Sequence, residues 1–269
     1  MRKIFFVFAA AALAFFLCSC ELSCDAPKEG KLNIVVYGND YFGEPEVKDE
    51  NGNVITAADG KAKTASELPC TVNDAINVGN ALVKNALKAK RSCQVTYLVG
   101  RSSALNFKAV RPDCVVNDVT FEKFKSVLTG ISLDSGTQDV TIIYFSGHGA
   151  GNEKKEEYGT DTSVSSYMAF GTEDFNYCIL KSVKNFMNKV NEIPGTKIVI
   201  GDFCFSGALV QSNYFSLTDG EYTGIDAPTL FAEYRDKINE SHSTFCLSAA
   251  RYNESSYENK NLGHGYFTN

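Results

Sequence analysis

The sequence predicts a single three-layer α/β domain with a mostly parallel central sheet and helices on both faces. Three observations predict it. Short apolar runs rich in β-branched and aromatic residues recur along the chain, amphipathic stretches with three- and four-residue spacing lie between them, and the loops that join them are polar. Strands of a buried parallel sheet read as continuous apolar runs because both of their faces are covered.

The N-terminal stretch MRKIFFVFAAAALAFFLCSC precedes this pattern. Two basic residues lead into the apolar run Ile4 to Cys18, which is short for a membrane span and has the layout of a secretory signal. Leu17-Cys18-Ser19-Cys20 resembles the bacterial lipobox, which implies a signal peptide over 1–19, lipid attachment at Cys20, and an exported, membrane-anchored protein of the bacterial cell envelope. A plain signal cut near Ser19 or Cys20 is the alternative, and either reading puts the domain outside the cytoplasm. A short tether over 20–30 then leads into the domain, 31–269.

Within the domain the apolar runs 32–37, 94–99, 140–145, 197–200 and 244–249 are the expected strands. The first helix is expected in TVNDAINVGNALVKNALKAK, 71–90, where Val72, Ala75, Ile76, Gly79, Leu82, Val83, Ala86 and Leu87 form one stripe, Thr71 is placed as N-cap and Asp74 at the third helical position. Thr120 leads a second helix over 120–131 through Phe121, Phe124 and Leu128. The stripe Leu180, Val183, Phe186, Met187 and Val190 predicts a third over 177–192. The stretches 38–69, 149–167 and 211–227, rich in Gly, Asp, Glu, Ser and Lys, read as surface loops.

Composition narrows the chemistry. A formal charge of −6 without a long basic run argues against a nucleic-acid partner. No two cysteines have C-x-x-C spacing and the histidines His148, His242 and His264 are scattered, so neither a structural metal nor a cofactor is expected. Beyond Cys20 the chain keeps Cys24, Cys70, Cys93, Cys114, Cys178, Cys204 and Cys246, an odd number that leaves at least one thiol unpaired.

In an open parallel sheet, reactive groups gather beyond the carboxyl ends of the strands. IIYFSGHGAG closes the third strand with Ser146, Gly147, His148 and Gly149, and IVIGDFCFSG closes the fourth with Asp202, Cys204, Ser206 and Gly207. A thiol and an imidazole on adjacent strand ends suit nucleophilic catalysis, because the imidazole takes the thiol proton and returns it to the leaving group. The amides of Gly149 and Cys204 are candidate donors to an oxyanion. Taken singly, a strand-end cysteine or histidine is usually packing; the conjunction argues for chemistry. GHGAG lacks the spacing of a nucleotide-binding loop, and FCFSG is not the G-x-S-x-G elbow of serine hydrolases.

From about residue 32 onward the chain resembles the caspase and metacaspase peptidases. The blocks that carry the resemblance are YFSGHG at 144–149 and DFCFSG at 202–207, with His148 and Cys204 56 residues apart. VYGNDY, VNDA, LSAARYNESS and GHGYFTN are weaker matches in the same order. The resemblance implies a caspase-like fold and a cysteine endopeptidase, with His148 as general acid/base and Cys204 as nucleophile acting on a protein or peptide substrate. It also matches Asp74, Ser146 and Asp202 to metacaspase substrate-pocket positions, which implies cleavage after Arg or Lys; for Asp74 the alternative is a helix N-terminal acid that complements the helix dipole. Phe205 stands where metacaspases frequently have His, and Gln211 stands where they carry a calcium-site acid, which argues against calcium activation. The chain stops at Asn269, where the family continues into a further helix, so the sequence reads either as a fragment or as a domain lacking that helix. A catalytically silent binding lipoprotein and a transpeptidase-like enzyme are the other function classes; the presence of both dyad residues counts against the first.

Overall fold

The computed structural model describes residues 30–100, 108–151, 166–209, 244–251 and 254–268. The signal, nearly all of the tether, Cys20, Gln211 and the 211–227 loop lie outside the described residues.

The central sheet has six strands, all parallel: β1 (Leu32–Gly38), β3 (Cys93–Val99), β4 (Val115–Val116), β5 (Val140–Ser146), β9 (Thr196–Asp202) and β10 (Thr244–Ser248), in the order β10-β9-β5-β1-β3-β4. All seven residues of β1 are buried, as a central strand covered on both faces requires. Helix α1 (Thr71–Lys88) covers one face, packing Val72, Ala75, Ile76, Val83 and Ala86 onto Ile34, Val36, Tyr97 and Tyr144. Helices α2 (Phe121–Asp134) and α3 (Val183–Asn191) cover the other, where Phe124, Leu128, Phe186 and Met187 meet Val35, Tyr37, Phe145 and Val199. This is the three-layer α/β architecture expected.

From β1 the chain continues to β3 on one side of the sheet, whereas β5 is followed by β9 and β10 on the other. The crevice between the carboxyl ends of β1 and β5 is therefore a topological switch point, where such sheets bind ligands. Register sets the faces: Ser146 is level with Asp202, and Tyr144 with Ile200. Tyr144 and Ile200 face α1, so alternation puts Ser146 and Asp202 on the α1 side as well.

Four expectations need correction. The stretch 177–192 is not one helix: Tyr177–Ser182 is strand β8, and α3 begins only at Val183. Extended Ser182 caps α3 by accepting from Asn185 N at 3.2 Å, while Cys178 and Leu180, two apart, pack on a small cluster with Tyr41 and Ala169. Second, 38–69 and 149–167 are more than loops. They contribute β2 (Glu46–Lys48), β6 (Gly149–Gly151) and the start of β7 (Ser166–Gly171) to a second sheet of order β2-β8-β7-β6. Third, Thr71 is the first helical residue rather than the cap: its hydroxyl donates to Asn39 O at 2.7 Å and Leu68 O at 2.9 Å, and the N-cap is Cys70. Fourth, Asp74 is consequently the fourth helical residue. The N-cap at Thr120 holds, its hydroxyl accepting from Lys123 N at 3.1 Å.

Candidate active site

His148 lies in the two-residue link between β5 and β6. Its backbone N–H donates to the Tyr41 hydroxyl at 2.9 Å, that hydroxyl donates to Ala169 O at 2.7 Å, and the two rings sit 4.6 Å apart. Nε2 lies 2.8 Å from Ser66 O, a geometry that places a proton on Nε2. Burial lowers the imidazole pKa below its ordinary value, partly offset by the Ser66 carbonyl.

Cys204 follows β9 in a tight turn. Its Sγ–H donates to Ser256 O at 3.6 Å. The next residue, Phe205, has φ of +64°, which costs a residue with a Cβ about 1–2 kcal/mol. Phe205 N–H donates to Glu254 O at 2.7 Å, its carbonyl accepts from Ser166 Oγ at 3.2 Å, and its ring lies against Gly151. The two loaded turns meet at Gly149, where any Cβ would collide with the Cys204 carbonyl. Thus the structure brings the His148 and Cys204 turns into backbone contact, but each of the two side chains is hydrogen-bonded to a backbone carbonyl of its own.

The substrate-pocket candidates converge on the α1 side. Asp202 accepts from Ser256 Oγ at 3.0 Å, Thr268 Oγ1 at 2.8 Å and Tyr144 OH at 3.3 Å. Asp74 accepts from Gly265 N at 2.9 Å and from His264 Nδ1 at 2.7 Å. Strands β11 (Glu258–Asn259) and β12 (His264–Gly265) form a hairpin that carries Gly265 to both acids: a Cβ there would lie 2.9 Å from Asp202 Oδ2 and 3.3 Å from Asp74 Oδ2. Glu258 fastens the hairpin to the start of α1, accepting from Cys70 N at 3.1 Å. Ser146, 2 % exposed, is buried beside them. The resemblance supplied Asp74, Ser146 and Asp202; it did not supply Ser66, Tyr41, Ser256, His264, Gly265 or Thr268. Tyr41 falls in the block VYGNDY and the last four in LSAARYNESS and GHGYFTN, which are legible as blocks without roles.

Burial pushes the Asp74 carboxyl up to about 6, against the Gly265 and His264 hydrogen bonds that lower it and with the Asp202 charge that adds to the rise. A carboxylate raised in the folded state costs stability wherever it is ionised in the fold, and this cost fades as pH falls from about 6 towards the ordinary value of 3.8. Asp74→Asn should therefore stabilise the domain at pH 8 by about 2–3 kcal/mol, with the gain shrinking at pH 5. Asn can accept from Gly265 N while donating to His264 Nδ1, whose other nitrogen is 3.4 Å from Asn77 Nδ2 and turns donor towards a flipped Asn77 amide. Thermal unfolding at the two pH values checks this; a loss of stability at pH 8 would mean that the charge is a structural tie.

The family described as the caspase domain matches residues 54–269. A protein from Geobacter sulfurreducens of known crystal structure is similar at 17% identity with a TM-score of 0.46, over 88% of this chain and 79% of that one; neither activity nor fold follows from a likeness at that level. No curated protein matches the sequence.

Proposed function

Because the chain belongs to the caspase domain family, a family of cysteine peptidases, we propose that it is a cysteine endopeptidase in which Cys204 attacks the scissile carbonyl, His148 transfers the proton to the leaving amine, and Asp74, Ser146 and Asp202 receive an Arg or Lys side chain. The observation that carries the proposal is the meeting of the two strand-end turns, with Gly149 against the Cys204 carbonyl and both carboxylates on the α1 side of the same crevice. His148, held by burial below its ordinary pKa, is neutral at pH 7 and fit to accept the thiol proton. The amides of Gly149 and Cys204 are the proposed oxyanion donors. Two carboxylates stripped of water favour a guanidinium or ammonium and repel an acidic side chain. The test is labelling of the full chain with an irreversible electrophilic peptide ending in Arg and with one ending in Asp. The expected result is preferential modification of Cys204 by the Arg reagent; preference for Asp rejects the acidic pocket, and no labelling by either rejects the peptidase.

The same proposal places the domain outside the cytoplasm on a lipid at Cys20, on the strength of the lipobox resemblance. A Cys20→Ser precursor should lose lipid labelling and membrane association. Unchanged labelling would remove Cys20 from the proposal.

A further inference from the structure

Ser256 touches both halves of the candidate site. Its carbonyl accepts the Cys204 thiol at 3.6 Å, and its hydroxyl donates to Asp202 Oδ1 at 3.0 Å. The backbone here runs alongside the nucleophile turn, since Phe205 N–H donates to Glu254 O at 2.7 Å. The thiol therefore points at the residue that also occupies the candidate specificity carboxylate, while His148 Nε2 is engaged at 2.8 Å by Ser66 O. Both reacting groups are parked on backbone carbonyls, and one parking place is tied to the substrate pocket.

We propose that Ser256 is a positioning residue that couples occupancy of the pocket by a basic side chain to release of the Cys204 thiol. This rests on the acidic-pocket reading above. A guanidinium that reaches Asp202 competes for the oxygen held by the Ser256 hydroxyl, and it brings a full positive charge and two parallel N–H donors where the hydroxyl brings one uncharged donor. Ser256 then loses its tie to β9, its carbonyl leaves the thiol, and the S–H is free to turn towards His148. A ligand that lacks the cation leaves the tie in place. The site thus selects its substrate twice, once by affinity and once by readiness of the nucleophile.

The experiment measures alkylation of Cys204 by iodoacetamide in the full chain, followed by peptide mass mapping so that the other cysteines do not contribute. It is run with and without agmatine, and agmatine binding is measured separately by calorimetry. In the wild type, saturating agmatine should speed alkylation about two- to tenfold, the worth of one neutral hydrogen bond. In Ser256→Ala the rate without agmatine should already be raised by about that factor, and agmatine should add nothing. Ser256→Thr keeps a hydroxyl and should keep the acceleration. A brace that only stabilised the fold would change melting temperature without moving this coupling. Agmatine that binds without accelerating wild-type alkylation, or that still accelerates Ser256→Ala, overturns the coupling and leaves the acidic pocket standing. Agmatine that does not bind overturns both.

Discussion

Cys204→Ala should leave a folded domain whose hydrolysis of peptides is lower by about four to six orders of magnitude, and His148→Ala should lose a comparable amount. The reason is that in the proposed mechanism the pair acts as a unit: without the imidazole nothing takes the thiol proton, and without the thiol the base has nothing to activate. Folding should survive because neither side chain belongs to the apolar clusters that join the sheet to its helices. The hydrogen bond from His148 N to Tyr41 is made by the backbone and remains in the alanine variant. The measurement is kcat/KM on an Arg peptide together with thermal unfolding. Turnover near wild type in Cys204→Ala would sink the mechanism.

The second large effect is expected at Asp202. Asp202→Ala should lower kcat/KM on Arg and Lys peptides by about thirtyfold to several thousandfold, because removing one partner of a desolvated charge pair costs about 2–5 kcal/mol. Leu peptides should change far less, and alkylation of Cys204 by a small neutral reagent should rise only by the about two- to tenfold that loss of the Ser256 tie implies. The structure adds a complication with a remedy. Three hydroxyls, from Ser256, Thr268 and Tyr144, point at this carboxylate; Tyr144 and Thr268 also lie 2.8 Å from each other and can pair, so deleting it costs about 1–3 kcal/mol for each donor that stays buried without a partner. Asp202→Asn keeps the volume and one acceptor oxygen while removing the charge, so it separates recognition from bracing. An equal loss on Arg, Lys, Asp and Leu peptides in the Asn variant would make Asp202 a strand-end brace.

The central sheet was readable because its strands are buried on both faces and so announce themselves as runs such as LNIVVY and VTIIYF. The second sheet was not. Its strand β8 has one buried residue in six, and the apolar spacing of Leu180, Val183 and Phe186 continues a helical stripe straight across the strand-to-helix boundary at Ser182. The candidate nucleophile, base and Asp202 could be read because each ends a strand beside glycines. Ser66 could not, since it acts through a carbonyl that every residue possesses. Ser256 and Thr268 were hidden for another reason: a hydroxyl in a polar stretch is a turn residue by default, and only the fold shows that these two lie on a carboxylate 54 and 66 positions away.

Gly265 meets Asp74 across 191 residues of chain, and Tyr41 meets His148 across 107. Contacts of such span have high contact order, and the entropy of closing loops this long must be met before the contacts return anything. None of the polar ties that shape the pocket forms within a single helix or hairpin. A chain with β1, α1 and β3 assembled but 254–268 undocked has both carboxylates open to water and its thiol without Ser256. Under the proposed function, assembly of the pocket is a property of the completed domain, and partly folded copies carry Cys204 and His148 without the groups proposed to choose a substrate.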